Sequence, residues 1–469
     1  VPAYGGAGTG AGRHFQRVAN DTGQMCVDCH AARNVTSSAQ GSHPVSVTVS
    51  GGNYKPPSLA PLDLVDGQVR CQSCHVVHFA PTANGALVRV ASTTTLCADC
   101  HTLADTTTPA SHLSPSAGVL WPGGQYGTTF PQKTDTSQRG ACTNCHQPHG
   151  WPNAANTVVD YVRLLVDSEE NLCFTCHDAG GPALRNLQSE FAKSSAHPLA
   201  AASSVHAPGE LAVPAVRHVE CDDCHNSHQA KGRLSLPGPA TSPRVASGPL
   251  AGVQGVSTSG ASVSSAAYEY EVCFRCHGDG TDLPAAPTPR QFPQRNIRLE
   301  FAGAYPSYHA VAAAGKNTGV PSLLPGWTSA SYMACTSCHN NNAGPANGGT
   351  GANGPHGSTN ARLLERTNVT ADNTSYVESN YALCFKCHSA SSILGDQSFK
   401  KHNEHISGVR TPCNVCHDPH ASSGASKLIN FDTRSVTAYG GTIEFRSTGQ
   451  YRGQCTLTCH GKAHNAFSY

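Results

Sequence analysis

The chain has 469 residues, with 31 basic and 30 acidic side chains, a balance that carries no nucleic-acid or membrane-surface signal. Leu, Ile, Val and Phe together number 80, about 17% of the chain, under the roughly 20% at which a polypeptide struggles to build its own core. The 46 Gly and 31 Pro favour turns over long regular elements, and charge is too sparse for a highly charged disordered chain, so buried apolar mass is expected from something other than side chains.

The sequence starts at Val1 and contains no apolar run long enough to span a bilayer. It reads as a mature product from which an export signal has been removed. All 22 Cys fall in short motifs that end in His. The segment 1–31 carries His14 and the first motif, Cys26, Cys29 and His30. Five units of similar layout follow, each opened by a lone His, and the six segments read as one continuous structure. Unit 32–104 has His43 in SHPV, then CQSCHVVH at 71–78 (Cys71, Cys74, His75, His78), then a closing motif of Cys97, Cys100 and His101. Unit 105–180 has His112 in SHLS, CTNCHQPH at 142–149 (Cys142, Cys145, His146, His149), and a closing Cys173, Cys176 and His177. That closing motif lies in SEENLCFTCH at 168–177, where Ser168 followed by Glu169 and Glu170 reads as a helix start.

Unit 181–280 has His197 in AHPL, CDDCHNSH at 221–228 (Cys221, Cys224, His225, His228), and a closing Cys273, Cys276 and His277 in a second expected helix, EYEVCFRCH at 269–277. Unit 281–390 has His309 in YHAV and CTSCH at 335–339 (Cys335, Cys338, His339). A Gly/Asn-rich insertion then leads to GPHG with His356, before a closing Cys384, Cys387 and His388. The match of GPHG to QPHG at 147–150 makes His356 the displaced counterpart of His149. Unit 391–469 has His405 in EHIS, CNVCHDPH at 413–420 (Cys413, Cys416, His417, His420), and the variant CTLTCH with Cys455, Cys459 and His460. Segments 231–265 and 340–360 are rich in Gly, Ser, Pro and Asn and read as loops.

CxxCH is the attachment signature of c-type haem. Two thiols form thioethers to the two vinyl groups of one porphyrin, and the adjacent His turns onto the iron as proximal ligand. Zinc knuckles or a disulfide scaffold would explain isolated CxxC pairs. Neither explains a His after the second Cys eleven times with no Cys left over. The count implies eleven covalently bound haems, whose propionates would add about 22 acidic groups and make the assembled protein anionic.

Of the 26 His, eleven are proximal and fifteen remain. Ten of these sit in the repeat positions: His43, His78, His112, His149, His197, His228, His309, His356, His405 and His420. One more gives every iron a second imidazole. His14 is the first candidate, with His464, His206, His218 and His402 as alternatives. The spacing from Phe191 to His197 equals that from Phe399 to His405 and favours His405 over His402. In CxxCHxxH the second His lies at most about 11 Å from the first along the chain. It therefore cannot reach round to the far face of the ring its neighbour holds, and should ligate a different haem. Only Met25 and Met333 could serve as thioether ligands, so bis-His iron with low potentials is expected.

The expected fold is mostly coil with few short helices and minimal strand, wrapped round a chain of stacked haems that takes the place of a side-chain core. The paired motifs resemble those of multihaem cytochromes in metal-reducing bacteria, and the haem density and coil-rich composition resemble that group's extracellular cytochrome filaments, or nanowires. The resemblance implies an extracellular or cell-surface location and homopolymerisation, with His14, or His464, ligating a haem across a subunit boundary. It also implies electron exchange with other redox proteins or extracellular acceptors. The leading expectation is an electron conduit with no substrate site. The rivals are a multihaem reductase of the nitrite, hydroxylamine or sulfur-oxyanion type, with the CTLTCH site as its one departure, and a soluble periplasmic shuttle.

Overall fold

The computed structural model describes residues 218–280 and 282–469, 168–199, 164–165, 140–149, and shorter stretches between residues 24 and 114 that include the first three motifs. Regular structure is scarce. Among the described residues the longest helices are α1 (Thr93–Cys100), α2 (Glu169–His177) and α3 (Glu269–His277), and each ends in or beside a closing motif. The two helices expected from sequence thus begin one residue after the expected start, at Glu169, and at the expected residue, Glu269. Acidic residues in the first turn of each complement the helix dipole. In α3 the Glu271 carboxylate accepts from the backbone N–H of Ala267 and Tyr268, at 2.6 and 3.1 Å, which fixes the entry of the chain.

Four two-residue strands form the joints between units: β1 (Ser195–Ala196), β2 (Ser307–Tyr308), β3 (Gly357–Ser358) and β4 (Ala421–Ser422). β1 pairs antiparallel with β3 and β2 with β4. Each joint ties the residues before a lone His to those after the second His of the following unit, bringing His197 beside His356 and His309 beside His420. The N–H of His309 donates to the carbonyl of His420 at 3.2 Å. The same tie recurs without named strands further back, where the His43 N–H donates to the carbonyl of Pro148 at 2.8 Å and the Ser111 N–H to that of Ala230 at 2.9 Å.

The side-chain core is small and divided. One cluster gathers Val256, Tyr270, Phe274, Phe301, Tyr308, Val311 and Ala421 round α3 and the β2–β4 joint. A second gathers Val415, Ile429, Phe431, Val436 and Leu457 against the C-terminal sheet. The fold class is mostly coil, as expected, with one local exception. Strands β5 (Val436–Thr437), β6 (Glu444–Gly449), β7 (Arg452–Cys459) and β8 (Lys462–Ser468) form an antiparallel sheet in which β7 pairs with the other three. The variant motif lies on β7, with Cys455 opposite Phe445 and Phe467. On β7 Gly453 and Leu457 are buried and the three residues between them half-buried; the alternation of Cys455, Leu457 and Cys459 with Gln454, Thr456 and Thr458 is a strand signal that the motif's cysteines obscured.

Candidate cofactor-binding site

Ten of the eleven motifs share one backbone form. In eight, the proximal His N–H donates to the carbonyl of the first Cys: His30 to Cys26, His75 to Cys71, His101 to Cys97, His146 to Cys142, His225 to Cys221, His339 to Cys335, His388 to Cys384 and His417 to Cys413, all at 2.8–3.0 Å. In the other two, Cys173–His177 and Cys273–His277, the motif is the last turn of α2 and α3. One helical turn sets two cysteines three apart on the same face, about 5–6 Å between Cβ atoms. All 22 thiols are free. This is what attachment of both to one side of a porphyrin requires.

The imidazoles stand in opposed pairs. Ring centroids lie 6.0 Å apart for His101 and His43, 5.8 Å for His75 and His149, and 6.3 Å for His177 and His112. They lie 5.9 Å apart for His146 and His228, 6.4 Å for His277 and His197, and 6.0 Å for His225 and His356. The separation is 6.1 Å for His339 and His420 and 6.4 Å for His417 and His402. His388 interacts electrostatically with His309. Two imidazoles on opposite faces of one metal ion place their centroids about 6 Å apart, given metal–nitrogen bonds of about 2 Å and a ring radius of about 1.1 Å. The residues fit a bis-histidine iron.

Hydrogen bonds to backbone carbonyls and a hydroxyl hold these rings with the other nitrogen free. Nδ1 of His197 bonds the carbonyl of Pro355 at 2.8 Å, His225 that of Pro249 at 3.0 Å, His309 that of Pro419 at 2.5 Å, His339 that of Arg362 at 2.9 Å and His417 that of Lys427 at 2.9 Å. His388 Nδ1 bonds the Ser322 hydroxyl at 3.0 Å. A carbonyl partner makes Nδ1 the donor and leaves Nε2 unprotonated for a metal. Burial also keeps the rings neutral, as ligation requires. Burial, then the neighbouring imidazoles, push His339, His388 and His402 down to about 4 and His356 to about 3.

The motifs follow one another in space in their sequence order. First-cysteine thiols touch between consecutive motifs: Cys26 with Cys71, Cys97 with Cys142, Cys173 with Cys221, Cys273 with Cys335 and Cys384 with Cys413. In the alternate steps the second cysteines interact: Cys74 with Cys100, Cys145 with Cys176, Cys224 with Cys276, Cys338 with Cys387 and Cys416 with Cys459.

The remaining expected residues divide. His14 and His78 lie outside the described residues. His405 packs on Phe399 and Tyr469, at 6.4 and 5.9 Å between centroids, and its Nδ1 bonds the Lys401 carbonyl at 2.6 Å. His464 Nδ1 meets the Tyr469 hydroxyl at 2.7 Å. His402, only an alternative in the sequence reading, is the ring that faces His417, and its buried Nδ1 has no hydrogen-bond partner. Spacing from Phe399 favoured His405; the wide turn Glu404–Gly408 rotates His405 away, while Phe399 packs on His402 at 5.3 Å.

The eleventh motif does not fit in the form seen. On an extended strand, residues four apart are separated by about 13 Å, too far for Cys455 and Cys459 to reach one porphyrin together. His460 follows the strand with φ of 49° and bonds Asp372 through Nε2 at 2.9 Å. No ring partner faces it among the described residues.

Models of known families match three regions, 64–106, 136–181 and 328–392, each to the family described as the doubled CXXCH motif. Each region spans the opening and closing motifs of one unit, and together they cover about a third of the chain. Neither the curated proteins nor the solved structures returned a match.

Proposed function

We propose that this chain, a multihaem electron-transfer cytochrome by its paired CxxCH motifs, is a linear conduit in which bis-histidine sites stand in file along the polypeptide. The reading is carried by the opposed imidazole pairs, at 5.8–6.4 Å between centroids. Bound haem supplies the one-electron ferric/ferrous couple. The chain's paired cysteines would anchor each ring through two thioethers, and its paired imidazoles would hold the iron and exclude other ligands. Six-coordinate iron leaves no position for a substrate, which argues for a wire over a catalyst.

The pairs suggest a rule. A closing motif takes its distal ligand from the lone His of its own unit, as His101 does from His43. An opening motif takes it from the second His of the next unit, as His75 does from His149. Extended to both ends, the rule gives His78 to His30 and His405 to His460. The last opening motif, His417, has no following unit, and His402 fills the place. Eleven distal imidazoles then come from one chain, without His14. The role as an exported, extracellular filament accordingly rests on the resemblance to cytochrome nanowires, and no longer needs a ligand from a neighbouring subunit. Eleven haems need β7 to open at Cys455; ten do not.

Mass spectrometry of purified protein with ferric electronic spectra tests this reading. The expected result is ten or eleven haem masses and wholly low-spin iron. A high-spin ferric population in the native protein would favour the reductase reading, and discrete monomers in electron micrographs of native material would remove the filament.

A further inference from the structure

The joint between the fourth and fifth units buries an acidic pair beside a distal imidazole. Glu300 sits on the short helix α4 (Ile297–Phe301), 4% exposed, and its carboxylate faces Nδ1 of His420 at 3.1 Å. Asp418 completes the group, with its carboxylate bonded to the His420 N–H at 3.2 Å and to Arg290 Nε at 3.3 Å. The other inward rings described above rest on neutral carbonyl or hydroxyl oxygens. His420 rests on a buried carboxylate.

The molecule contains its own contrast. Glu190 holds the equivalent place one unit earlier, before Phe191 as Glu300 is before Phe301. The insertion at 340–355 diverts it. Its carboxylate accepts from the Ala352 N–H at 3.2 Å and pairs with the ammonium of Lys193. His356, the counterpart of His420, keeps a buried Nδ1 with no hydrogen-bond partner. Two sites built on one plan therefore differ behind the distal ring: the Nδ1 of His420 meets a buried carboxyl group, and that of His356 has no hydrogen-bond partner.

We infer that Glu300 is a positioning residue that, through His420, makes the haem site of Cys335, Cys338 and His339 a low-potential step in the file, against a higher-potential step at the site of His225 and His356. A hydrogen bond from Nδ1–H to a carboxylate raises the basicity of the ligand. A more basic ligand favours ferric over ferrous iron, so the site takes up an electron less readily than its neighbours. The inference rests on the bis-histidine reading proposed above.

The test is a spectroelectrochemical titration of the full holoprotein and of Glu300→Gln, with Glu190→Gln as a control. Glu300→Gln should move the amplitude of a single haem to higher potential, with the haem mass and the low-spin spectrum unchanged. Glu190→Gln should leave that component in place, and Glu300→Asp should restore part of the shift. A Glu300→Gln titration that superposes on the native curve, or a shift to lower potential, overturns the inference while leaving the ligand pairing intact. Should the variant fail to assemble, the native ferric protein carries the test. One haem should show its near-infrared charge-transfer band at higher energy than the rest, the mark of a more basic imidazole, and a single uniform band overturns the inference. High-spin iron at this site in the native protein overturns the ligand pairing and the inference with it.

Discussion

At the scale of single residues, the histidines were legible because recurrence separates a ligand from a surface imidazole. Ten distal candidates stood out by position in the repeat; seven of them face a proximal ring in the structure, and an eighth, His309, interacts electrostatically with His388. His402 was not legible, since it appears once and the ring opposite it, His417, belongs to a unit with no successor. The consequence is testable. His402→Ala should convert one haem from low-spin to high-spin in the ferric spectrum, with the haem mass retained, because covalent attachment does not depend on the distal ligand. His14→Ala should leave the spectrum low-spin. If instead His14→Ala creates the high-spin haem and His402→Ala does not, the last opening motif takes its ligand from the N-terminal segment.

At the scale of elements, the helices over 169–177 and 269–277 could be read from acidic first turns and a motif at the end. The joints could not, because a two-residue strand leaves no period in the sequence. Their requirement shows in a glycine. A Cβ on Gly357 would run into the backbone carbonyl of Glu190, across the β1–β3 joint. Backbone cannot yield as a side chain tip can, so Gly357→Ala should cost about 1–3 kcal/mol through overpacking, read as a lower guanidinium midpoint. Gly408→Ala has nothing within 4 Å of the added methyl and should leave the midpoint nearly unchanged. The C-terminal sheet poses the opposite problem, since its central strand is also an attachment motif. Two cysteines four apart on a strand stand about 13 Å apart along the backbone, against about 5–6 Å in the helical turn of the other motifs. Cys455→Ser with Cys459→Ser should therefore leave the haem mass unchanged if β7 persists in the holoprotein. Loss of one haem mass would mean that β7 opens into a turn like those of the other ten motifs.

At the scale of the whole molecule, the rule of borrowed ligands accounts for cohesion in a chain that is mostly coil. On the proposed ligand scheme the opening sites of the first four units are completed by the next unit, as His146 faces His228 and His225 faces His356, so consecutive units would not separate without breaking a coordination bond. The aliphatic content explains why such ties are needed. Val256, Tyr270, Phe274 and their neighbours make one cluster, Val415, Phe431 and Leu457 another, and both adjoin attachment cysteines, Cys335 for the first and Cys416 for the second. Clusters of this size bury little apolar area for a chain of 469 residues. The unfolded chain would meanwhile regain conformational entropy of about 1–2 kcal/mol per residue. Binding that occurs only in the folded state is folding free energy, so the chain expressed in a host without haem attachment should be colourless and unfolded. Its far-ultraviolet circular dichroism should show coil, with no cooperative transition on heating. A cooperative melt in the colourless chain would mean that side chains alone hold the fold, and that the low aliphatic content has another explanation.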